Sequence, residues 1–249
     1  MKYARTMLVV LSMVAIAVSS ASAVTITSGS TVIGFDDFES NTTFSTAAAP
    51  DTSGDYDPDA ATTGSWSTSE ATADKVQVTN YGTPGAFEGS KYLRITATST
   101  HAYLAFSADQ TTGTLHFETM VNTGQTNLNS STAVGFQNSS SAWGPFVQFM
   151  SGGKIQYYAS SAYHDSGLTY TADVWKKLEI DWTIGSSTFD LTYDGTTVTG
   201  LATRGTAASM DRIRLSGNGL SHFDAVPEPA TMSLLGIGGL LALVRRRRK

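Results

Sequence analysis

Short segments of alternating apolar and polar residues recur through the middle of the chain, and no long helical pattern interrupts them. Alternation with a period of two places the apolar side chains on one face of a β-strand. The pattern predicts strands over residues 91–97, 115–121, 145–150, 154–158, 175–184, 188–193, 196–199, 210–215 and 222–226. Many short strands a turn apart are typical of an antiparallel sandwich. The fold is therefore predicted to be all-β.

Two turn signals join neighbouring segments. Asp194-Gly195 stands between 188–193 and 196–199, and Asp-Gly is a preferred pair in two-residue hairpin turns. Ser151-Gly152-Gly153 is expected to join 145–150 to 154–158 in the same way. Residues 42–73 lack the alternation and are rich in Thr, Ser, Asp and Gly, which predicts a long surface excursion.

Composition narrows the chemistry of this middle region. The chain contains no cysteine, which excludes disulfides, thiolate metal sites and thiol catalysis. Between residues 24 and 226 there are nine Lys and Arg residues against twenty Asp and Glu residues, a net charge near −11. Such a balance argues against nucleic acid or anionic lipid as a partner. Because no internal repeat is visible, one domain is predicted over residues 24–225.

The C-terminal segment does not fit a soluble core. Val226 is followed by Pro227, Glu228 and Pro229, and then by an uncharged run over 231–244. A helix over that run would be about 21 Å long, shorter than a hydrocarbon core of about 30 Å. The chain ends in five cations: Arg245, Arg246, Arg247, Arg248 and Lys249. These features predict a short transmembrane helix with its end held in the cytoplasm; an ordinary single-pass anchor is the alternative.

Pro-Glu-Pro, a glycine-containing apolar run and a terminal arginine cluster, in this order, resemble the PEP-CTERM sorting signal of Gram-negative-type bacteria. The resemblance implies recognition by an exosortase, a membrane-embedded transpeptidase-like enzyme, and removal of the tail, as in other hydrophobic C-terminal signals. It also implies delivery to the cell surface or extracellular matrix of bacteria that produce exopolysaccharide. The sorting residues would be Val226, Pro227, Glu228, Pro229, Arg245, Arg246, Arg247 and Arg248.

The N-terminus predicts export as well. Lys2 and Arg5 precede an apolar run over 7–18, and small residues follow it, ending in Ala21 and Ala23. This is the pattern of a secretory signal peptide, with cleavage expected after Ala23. The Sec translocon and signal peptidase are therefore predicted partners, and a retained N-terminal helix is the alternative. The predicted organisation is a signal peptide over 1–23, a sandwich over 24–225 and a sorting signal over 226–249.

Several segments of the middle region resemble concanavalin A-like lectin and glucanase domains. They include Phe-Asp-Asp-Phe-Glu-Ser at 35–40, Gly-Ser-Lys-Tyr-Leu-Arg-Ile at 89–95 and Trp-Lys-Lys-Leu-Glu-Ile-Asp-Trp at 175–182. The segments at 210–215 and 222–226 fit the final strands of that fold. The resemblance implies a jelly-roll β-sandwich.

The same resemblance raises the question of catalysis. Laminarinase-type hydrolases of this fold carry Glu-x-Asp-x-x-Glu, or a form one residue shorter, with the first Glu as nucleophile and the last as general acid/base. Glu179 and Asp181 match the first two positions, but Thr183 and Ile184 occupy the places of the last. Retaining hydrolysis needs two carboxyl groups about 5–5.5 Å apart. No catalytic residue is therefore predicted, and a diverged glycosidase with its acid on another strand is the alternative.

If Glu179 and Asp181 are not catalytic, they belong to an ordinary strand whose core face carries Leu178, Ile180 and Trp182. The predicted role is then a non-catalytic surface or matrix protein that binds exopolysaccharide. Aromatic residues expected in loops are the candidates for stacking on sugar rings: Tyr81, Trp143, Tyr157, Tyr158 and Tyr163. A purely structural protein without a ligand remains as a further alternative.

An acidic cluster is the one candidate metal site. It consists of Asp51, Asp55, Asp57 and Asp59, three of them at alternate positions as at the start of an EF-hand loop. Ala60 replaces the glycine of that loop and Trp66 its bidentate glutamate, so an EF-hand is rejected. A looser Ca²⁺ site and a solvated acidic loop are both left open, and no other cofactor is predicted.

Overall fold

The described part of the chain forms sixteen β-strands in two sheets. The computed structural model describes residues 24–36, 38, 63–68, 75–79, 85–87, 91–97, 99–124, 132–150, 152–217, 221–224 and 226. The strands are β1 (Val24–Ser28), β2 (Thr31–Asp36), β3 (Ser65–Thr68), β4 (Val76–Thr79), β5 (Tyr92–Ile95), β6 (Thr100–Gln110), β7 (Thr114–Thr123), β8 (Ala133–Gln137), β9 (Trp143–Met150), β10 (Lys154–Ala159), β11 (Ala162–Thr169), β12 (Lys176–Thr183), β13 (Thr188–Tyr193), β14 (Thr196–Ala202), β15 (Met210–Gly217) and β16 (Ser221–Asp224).

The sheet topology is that of a jelly roll. The nine-stranded sheet has the order β14-β13-β12-β7-β16-β5-β4, with β1 paired to β7 and to β2. The seven-stranded sheet has the order β11-β10-β9-β8-β15-β6-β3. The named strands pair antiparallel, and strands far apart in sequence are neighbours, such as β6 with β15 and β7 with β16. The predicted all-β jelly-roll sandwich is confirmed, and the sheets lie within one compact unit, residues 22–226.

The core lies between the two sheets and contains several aromatic contacts across them. Phe136 packs on Trp182 with 6.0 Å between ring centroids, and Phe149 packs on Tyr193 at 5.6 Å. Leu178 and Ile180 are buried together with Trp182. This confirms the strand face predicted for β12, in which Glu179 and Asp181 point away from the core.

The two ends of the sandwich meet along one edge of β7. Val24 pairs with Thr119 on β7, and Asp224 pairs with the next residue, Met120. Strands β1 and β16 therefore lie end to end, so the chain enters and leaves the sandwich at the same point. Val24 and Asp224 are 0% exposed, and Val226 is 8% exposed.

Both predicted turns are confirmed. Asp194 and Gly195 connect β13 to β14 with φ angles of 50° and 76°, the left-handed pair that a two-residue hairpin of this type needs. Gly152 and Gly153, with φ angles of 80° and 75°, precede β10, whose Lys154 pairs with Met150 of β9.

The predicted surface excursion over 42–73 is wrong for residues 63–68. Strand β3 is the edge of the seven-stranded sheet and pairs with β6. The indole nitrogen of Trp66 donates a hydrogen bond to the buried carboxylate of Asp36, and Thr63 bridges to Phe35. These contacts tie the segment to the domain core.

The predicted signal peptide, with Ala21 and Ala23, lies outside the described residues, as does the tail after Val226. Within the ranges given above, no helix has the length and apolar character needed to span a membrane.

Candidate functional site

The outer face of the seven-stranded sheet carries a group of arginine and aromatic side chains. Cross-strand register places Tyr103 of β6 beside Arg214 of β15, Arg214 beside Gly135 of β8, and Gly135 beside Phe146 of β9. We call this group the arginine–aromatic face; it comprises Tyr103, Trp143, Phe146, Tyr158, Tyr163, Arg204, Arg212 and Arg214.

Trp143 is at the centre of this face because the strand beneath it carries a glycine. A Cβ on Gly135 would lie 3.1 Å from Cζ3 of Trp143 and 2.8 Å from Cδ2 of Phe146. The absence of that atom lets the indole lie close over β8. Trp143 and Phe146 then meet edge to face, with 5.4 Å between ring centroids.

Arg204 reaches into the face from the segment after β14. Its guanidinium carbon lies 4.0 Å from the ring centroid of Trp143, 4.9 Å from that of Tyr158 and 5.2 Å from that of Phe146. The backbone N–H of Arg204 donates to the carbonyl oxygen of Gly144, which fixes the segment against β9. Within the described ranges, the guanidinium of Arg204 has no carboxylate partner and is held by aromatic rings instead.

Arg212 and Arg214 project from alternate positions of β15. The guanidinium carbon of Arg214 lies 5.2 Å from the centroid of Trp143, so two guanidinium groups share one indole. Arg214 donates to Ser216 Oγ at 3.0 Å, and its Nη2 lies 2.6 Å from Nε2 of His101. Arg212 stacks on Tyr103 at 4.7 Å and donates to the carbonyl of Asn138.

Burial lowers the pKa of both Arg204 and Arg214 from the ordinary arginine value. In Arg214, the neighbouring charges of Arg204 and Arg212 lower the pKa further. Arg212 has one weak acidic neighbour, with its Nε 3.8 Å from Asp211 Oδ1. The face therefore concentrates positive charge that the described part of the molecule leaves largely uncompensated.

Three of the five predicted ligand-binding aromatics lie in this face. Trp143 belongs to β9, Tyr158 to β10 and Tyr163 to β11, where Tyr163 is 49% exposed and packs on Tyr158 at 4.8 Å. Tyr157 points the other way, stacking on His164 and meeting Phe189 of the opposite sheet. All four are on strands, so the expected placement in loops is wrong for Trp143 and Tyr163, whereas Tyr157 and Tyr158 lie in the strand that was predicted over 154–158. Tyr81 lies outside the described residues.

The sequence reasoning did not identify Arg204, Arg212, Arg214 or Phe146 as members of a site. A signal for two of them was available, because Arg-Ile-Arg in the predicted strand at 210–215 places both arginines on one face. Arg204 lies outside any strand, and only the folded structure brings it over Trp143.

The outer face of the nine-stranded sheet is different. Glu118 of β7 pairs in register with Glu179 of β12, and Lys177 joins them: its Nζ lies 2.8 Å from Glu118 Oε2 and also contacts Glu179. His116 Nδ1 lies 2.8 Å from Asp181 Oδ1. We call these five residues the charged face.

The ionisation of the charged face does not suit acid catalysis. The hydrogen bond that His116 donates to Asp181, and then the neighbouring carboxylate of Glu118 at 3.8 Å, raise the pKa of His116 to about 9. His116 and Lys177 lower the pKa of Glu118 to about 2. A general acid for a glycosidic oxygen needs a raised carboxyl pKa. Glu118 instead has a lowered pKa, and Glu118, Glu179 and Asp181 each contact Lys177 or His116.

The acidic cluster of Asp51, Asp55, Asp57 and Asp59 lies outside the described residues. In the ranges that the structure does describe, no group of three or more His, Cys, Asp or Glu side chains is arranged to hold a metal ion.

Residues 225–249 match the family model for the PEP-CTERM protein-sorting motif. The tail carries a sorting motif. The resemblance drawn from Pro-Glu-Pro, the apolar run and the arginine cluster is thereby confirmed, and the motif indicates an exported protein. The motif covers about a tenth of the chain. It therefore indicates export of the protein and carries no information about the activity of the sandwich.

Comparison with solved structures shows similarity of fold. A carbohydrate binding module, CBM66 from Bacillus subtilis, is 12% identical, with a TM-score of 0.43, covering 65% of this chain and 92% of that one. Domain 4 of a Geobacillus stearothermophilus arabinanase, in complex with arabinotriose, is 12% identical, with a TM-score of 0.41. The match covers 86% of this chain and 99% of that domain. A sialidase is 12% identical, with a TM-score of 0.47. The match covers 63% of this chain but 17% of the sialidase.

These TM-scores lie below 0.5 and carry no functional argument. Among curated proteins, no sequence match was found.

Proposed function

We propose that this exported chain is processed by an exosortase and retained at the cell surface or in the extracellular matrix, where the arginine–aromatic face binds polysaccharide without cleaving it. The observation that carries the proposal is the cluster of Trp143, Tyr158 and Arg204 on an open sheet face. Aromatic rings present flat apolar surface to the C–H faces of sugar rings, while arginine donors bond the hydroxyl and acidic groups around them.

Several features support a binding face over simple packing. Tyr163 extends the aromatic surface to the sheet edge with about half of its side chain exposed. Because Gly135 has no side chain, the indole of Trp143 packs close to β8. A face used only for solubility would carry the interspersed paired charges seen on the other sheet.

The charged face supports the absence of hydrolysis. Lys177 bridges Glu118 and Glu179, the carboxylates that register brings opposite one another, and the low pKa of Glu118 keeps it ionised. Glu118 is therefore not available as a proton donor. The laminarinase-type alternative would require an acid from elsewhere in the chain.

Processing follows from the tail. The motif begins where β16 ends, and Val226 is still packed against the sandwich. We expect the mature protein to have lost the arginine cluster as well as residues 1–23. Intact-mass measurement of the protein recovered from its native host tests this directly. Retention of Arg245 to Arg248 would show an ordinary membrane anchor.

Binding is tested with residues 24–226, which contain every described strand and its partners, in pull-downs with purified neutral and acidic polysaccharides. Trp143→Ala and Tyr163→Ala should each weaken binding about tenfold, since aromatic contacts of this kind contribute on the order of 1 kcal/mol or more. Thr192→Ala, on the outer side of β13, is the matched control. Melting curves for each variant separate loss of binding from loss of folding.

Two results would contradict the proposal. If the wild-type fragment bound none of the polysaccharides, the sandwich would have a structural role without a ligand. If it hydrolysed a β-glucan and Glu179→Ala abolished that activity, the protein would be a diverged glycosidase.

A further inference from the structure

The three arginines of the arginine–aromatic face present an electrostatic problem. Arg212 and Arg214 are two residues apart on one strand, so their Cα atoms are about 7 Å apart, and Arg204 shares the Trp143 ring with Arg214. Like charges at this range repel, and the partial burial of Arg204 and Arg214 removes some of the water that would screen them. A nearby anion would relieve both effects.

The other residues that the structure describes offer these arginines little compensation. The other cations with resolved ion pairs are neutralised by carboxylates: Lys154 by Asp165, Lys176 by Asp194, and Lys177 by Glu118 and Glu179. In contrast, the guanidinium of Arg204 contacts only aromatic rings among the described residues, and Arg214 bonds a serine hydroxyl and an imidazole. Neutral sugars present hydroxyl groups, which neutral donors can bond without any such concentration of charge.

We infer that the ligand of this face is an acidic polysaccharide whose sugar rings carry carboxylates, with Arg204 and Arg214 binding the carboxylates while Trp143, Tyr158 and Tyr163 pack on the rings. The inference rests on the proposed function and specifies its ligand class. A planar guanidinium matches a planar carboxylate through two parallel N–H···O bonds, and arginine also stacks on aromatic rings. The position of Arg204, with its guanidinium carbon 4.0 Å from the ring centroid of Trp143 and 4.9 Å from that of Tyr158, suits a uronic acid residue lying on the same surface.

The acidity of the domain does not oppose this assignment. The region 24–226 has a net charge near −11, which would repel an acidic polymer at long range. At physiological ionic strength the Debye length is about 8 Å, so carboxylates on the opposite sheet are largely screened at the binding face. Direct contacts with the arginines are screened much less. Binding should therefore be local to this face and should weaken as salt increases.

The experiment compares polymers that differ in charge but share a backbone. Polygalacturonate and its fully methyl-esterified form present the same ring with and without the carboxylate. Dextran sulfate, with unmodified dextran as its own control, tests whether any polyanion suffices. Affinity is measured for residues 24–226 by titration at several salt concentrations, and again for the full-length chain in detergent, where the C-terminal cations add the same background to every variant.

Five proteins are compared: wild type, Arg204→Gln, Arg214→Gln, Trp143→Ala and Lys154→Gln. Lys154 projects from β10, the strand that also carries Tyr158, but it is paired with Asp165, so its removal changes the net charge equally without touching the cluster. For polygalacturonate, each arginine variant should lose about tenfold in affinity or more, and Lys154→Gln should lose none. The salt dependence should become shallower only in the arginine variants.

The outcomes separate the inference from the proposed function. Equal binding of polygalacturonate and its methyl ester, lost in Trp143→Ala but kept in Arg204→Gln and Arg214→Gln, would overturn the carboxylate assignment and leave polysaccharide binding standing. Equal binding of dextran sulfate, or equal losses in Lys154→Gln, would also overturn it. Failure to bind any polymer would overturn both. Preference for polygalacturonate with loss confined to the arginine variants supports the inference.

Discussion

The two outer faces of the sandwich use charge in opposite ways. On the charged face of the nine-stranded sheet, Lys177 lies between Glu118 and Glu179, and His116 bonds Asp181, so each charge has an opposite neighbour. On the arginine–aromatic face, three cations gather around aromatic rings, and among the described residues their one acidic ion-pair neighbour is Asp211. The first arrangement is complete in the isolated molecule, whereas the second gains from an added anion.

The difference also separates stability from function. Cross-strand pairs of opposite charge stabilise a sheet modestly and tolerate solvent. A cluster of like charges lowers the stability of a sheet. Its presence on an otherwise acidic domain is therefore better explained by ligand binding than by folding.

The largest effect on stability is expected at His222, a buried histidine of the nine-stranded sheet. His222 shares the outer side of the nine-stranded sheet but is 1% exposed, packed on Tyr92 and Trp175, and neither of its ring nitrogens is hydrogen-bonded within the described residues. Burial, followed by the charge of Arg94, lowers its pKa to about 4. Being sealed off, it is a structural group and not a binding one.

The sign of the effect follows from the pKa. Unfolded histidine binds a proton below about 6.5, but folded His222 does so only below about 4, so the unfolded state binds more protons between these values. Stability should fall by on the order of 3 kcal/mol as the pH drops through this window. His222→Leu should remove most of that dependence. Urea unfolding midpoints at pH 7.5 and pH 4 measure it, and the same fall in both proteins would contradict the assignment.

The next effect concerns the glycine beneath Trp143. Gly135→Ala forces a Cβ against Phe146 and Trp143 at distances shorter than van der Waals contact. Overpacking of this kind destabilises by about 1–3 kcal/mol, and the displaced indole should also weaken polysaccharide binding. Thr192→Ala, on the outer side of the other sheet, should change stability by less than about 0.5 kcal/mol. If Gly135→Ala left both stability and binding unchanged, the close packing of Trp143 on β8 would not matter.

Sequence reasoning recovered several of the strands that have one buried and one exposed face, although β6, whose burial also alternates, was missed. β12 and β13 were predicted within a residue or so because their apolar and polar positions alternate strictly. β8 was missed since all five of its residues, Ala133–Gln137, are buried and one is a glycine. β11 was missed for the opposite reason, because this edge strand is mostly exposed and shows little hydrophobic pattern.

The site was harder to predict than the fold. Trp143, Tyr158 and Tyr163 were singled out as aromatics, but alternation alone did not show that Tyr157 faces the core. The charge of the site depends on Arg204, which follows β14 and reaches Trp143 only after the two sheets have packed. Local patterns contain no information about such a contact between distant segments.

A smaller effect is expected when the charged face is titrated. The hydrogen bond to Asp181 and the nearby carboxylate of Glu118 raise the pKa of His116 to about 9, above its unfolded value. Its stabilising effect is therefore complete below pH 6.5 and is lost as the pH rises through 9. Because His116 is about a third exposed, we expect a loss of about 1 kcal/mol and not the full value of the shift. His116→Gln should flatten the decline in urea midpoint between pH 6.5 and 9.5.

The same titration should leave the arginine–aromatic face unchanged, because guanidinium groups stay protonated throughout this range. Polygalacturonate affinity at pH 6.5 and at pH 9.5 should therefore agree in wild type and in His116→Gln. A parallel loss of stability and of affinity in wild type would show that the two faces are coupled through the core, which would break the contrast between them.

The smallest effect is expected at Lys154, whose Nζ lies 2.6 Å from Asp165 on the exposed edge of the seven-stranded sheet. Both side chains are about half exposed, and such pairs lose in side-chain entropy and screening much of what they gain by attraction. Lys154→Gln should leave the urea midpoint unchanged within error at both low and high salt. A clear loss of stability would contradict this expectation. It would mean that a pair at the exposed sheet edge stabilises the fold strongly, although Lys154 is more exposed than His116 and Lys177 of the charged face.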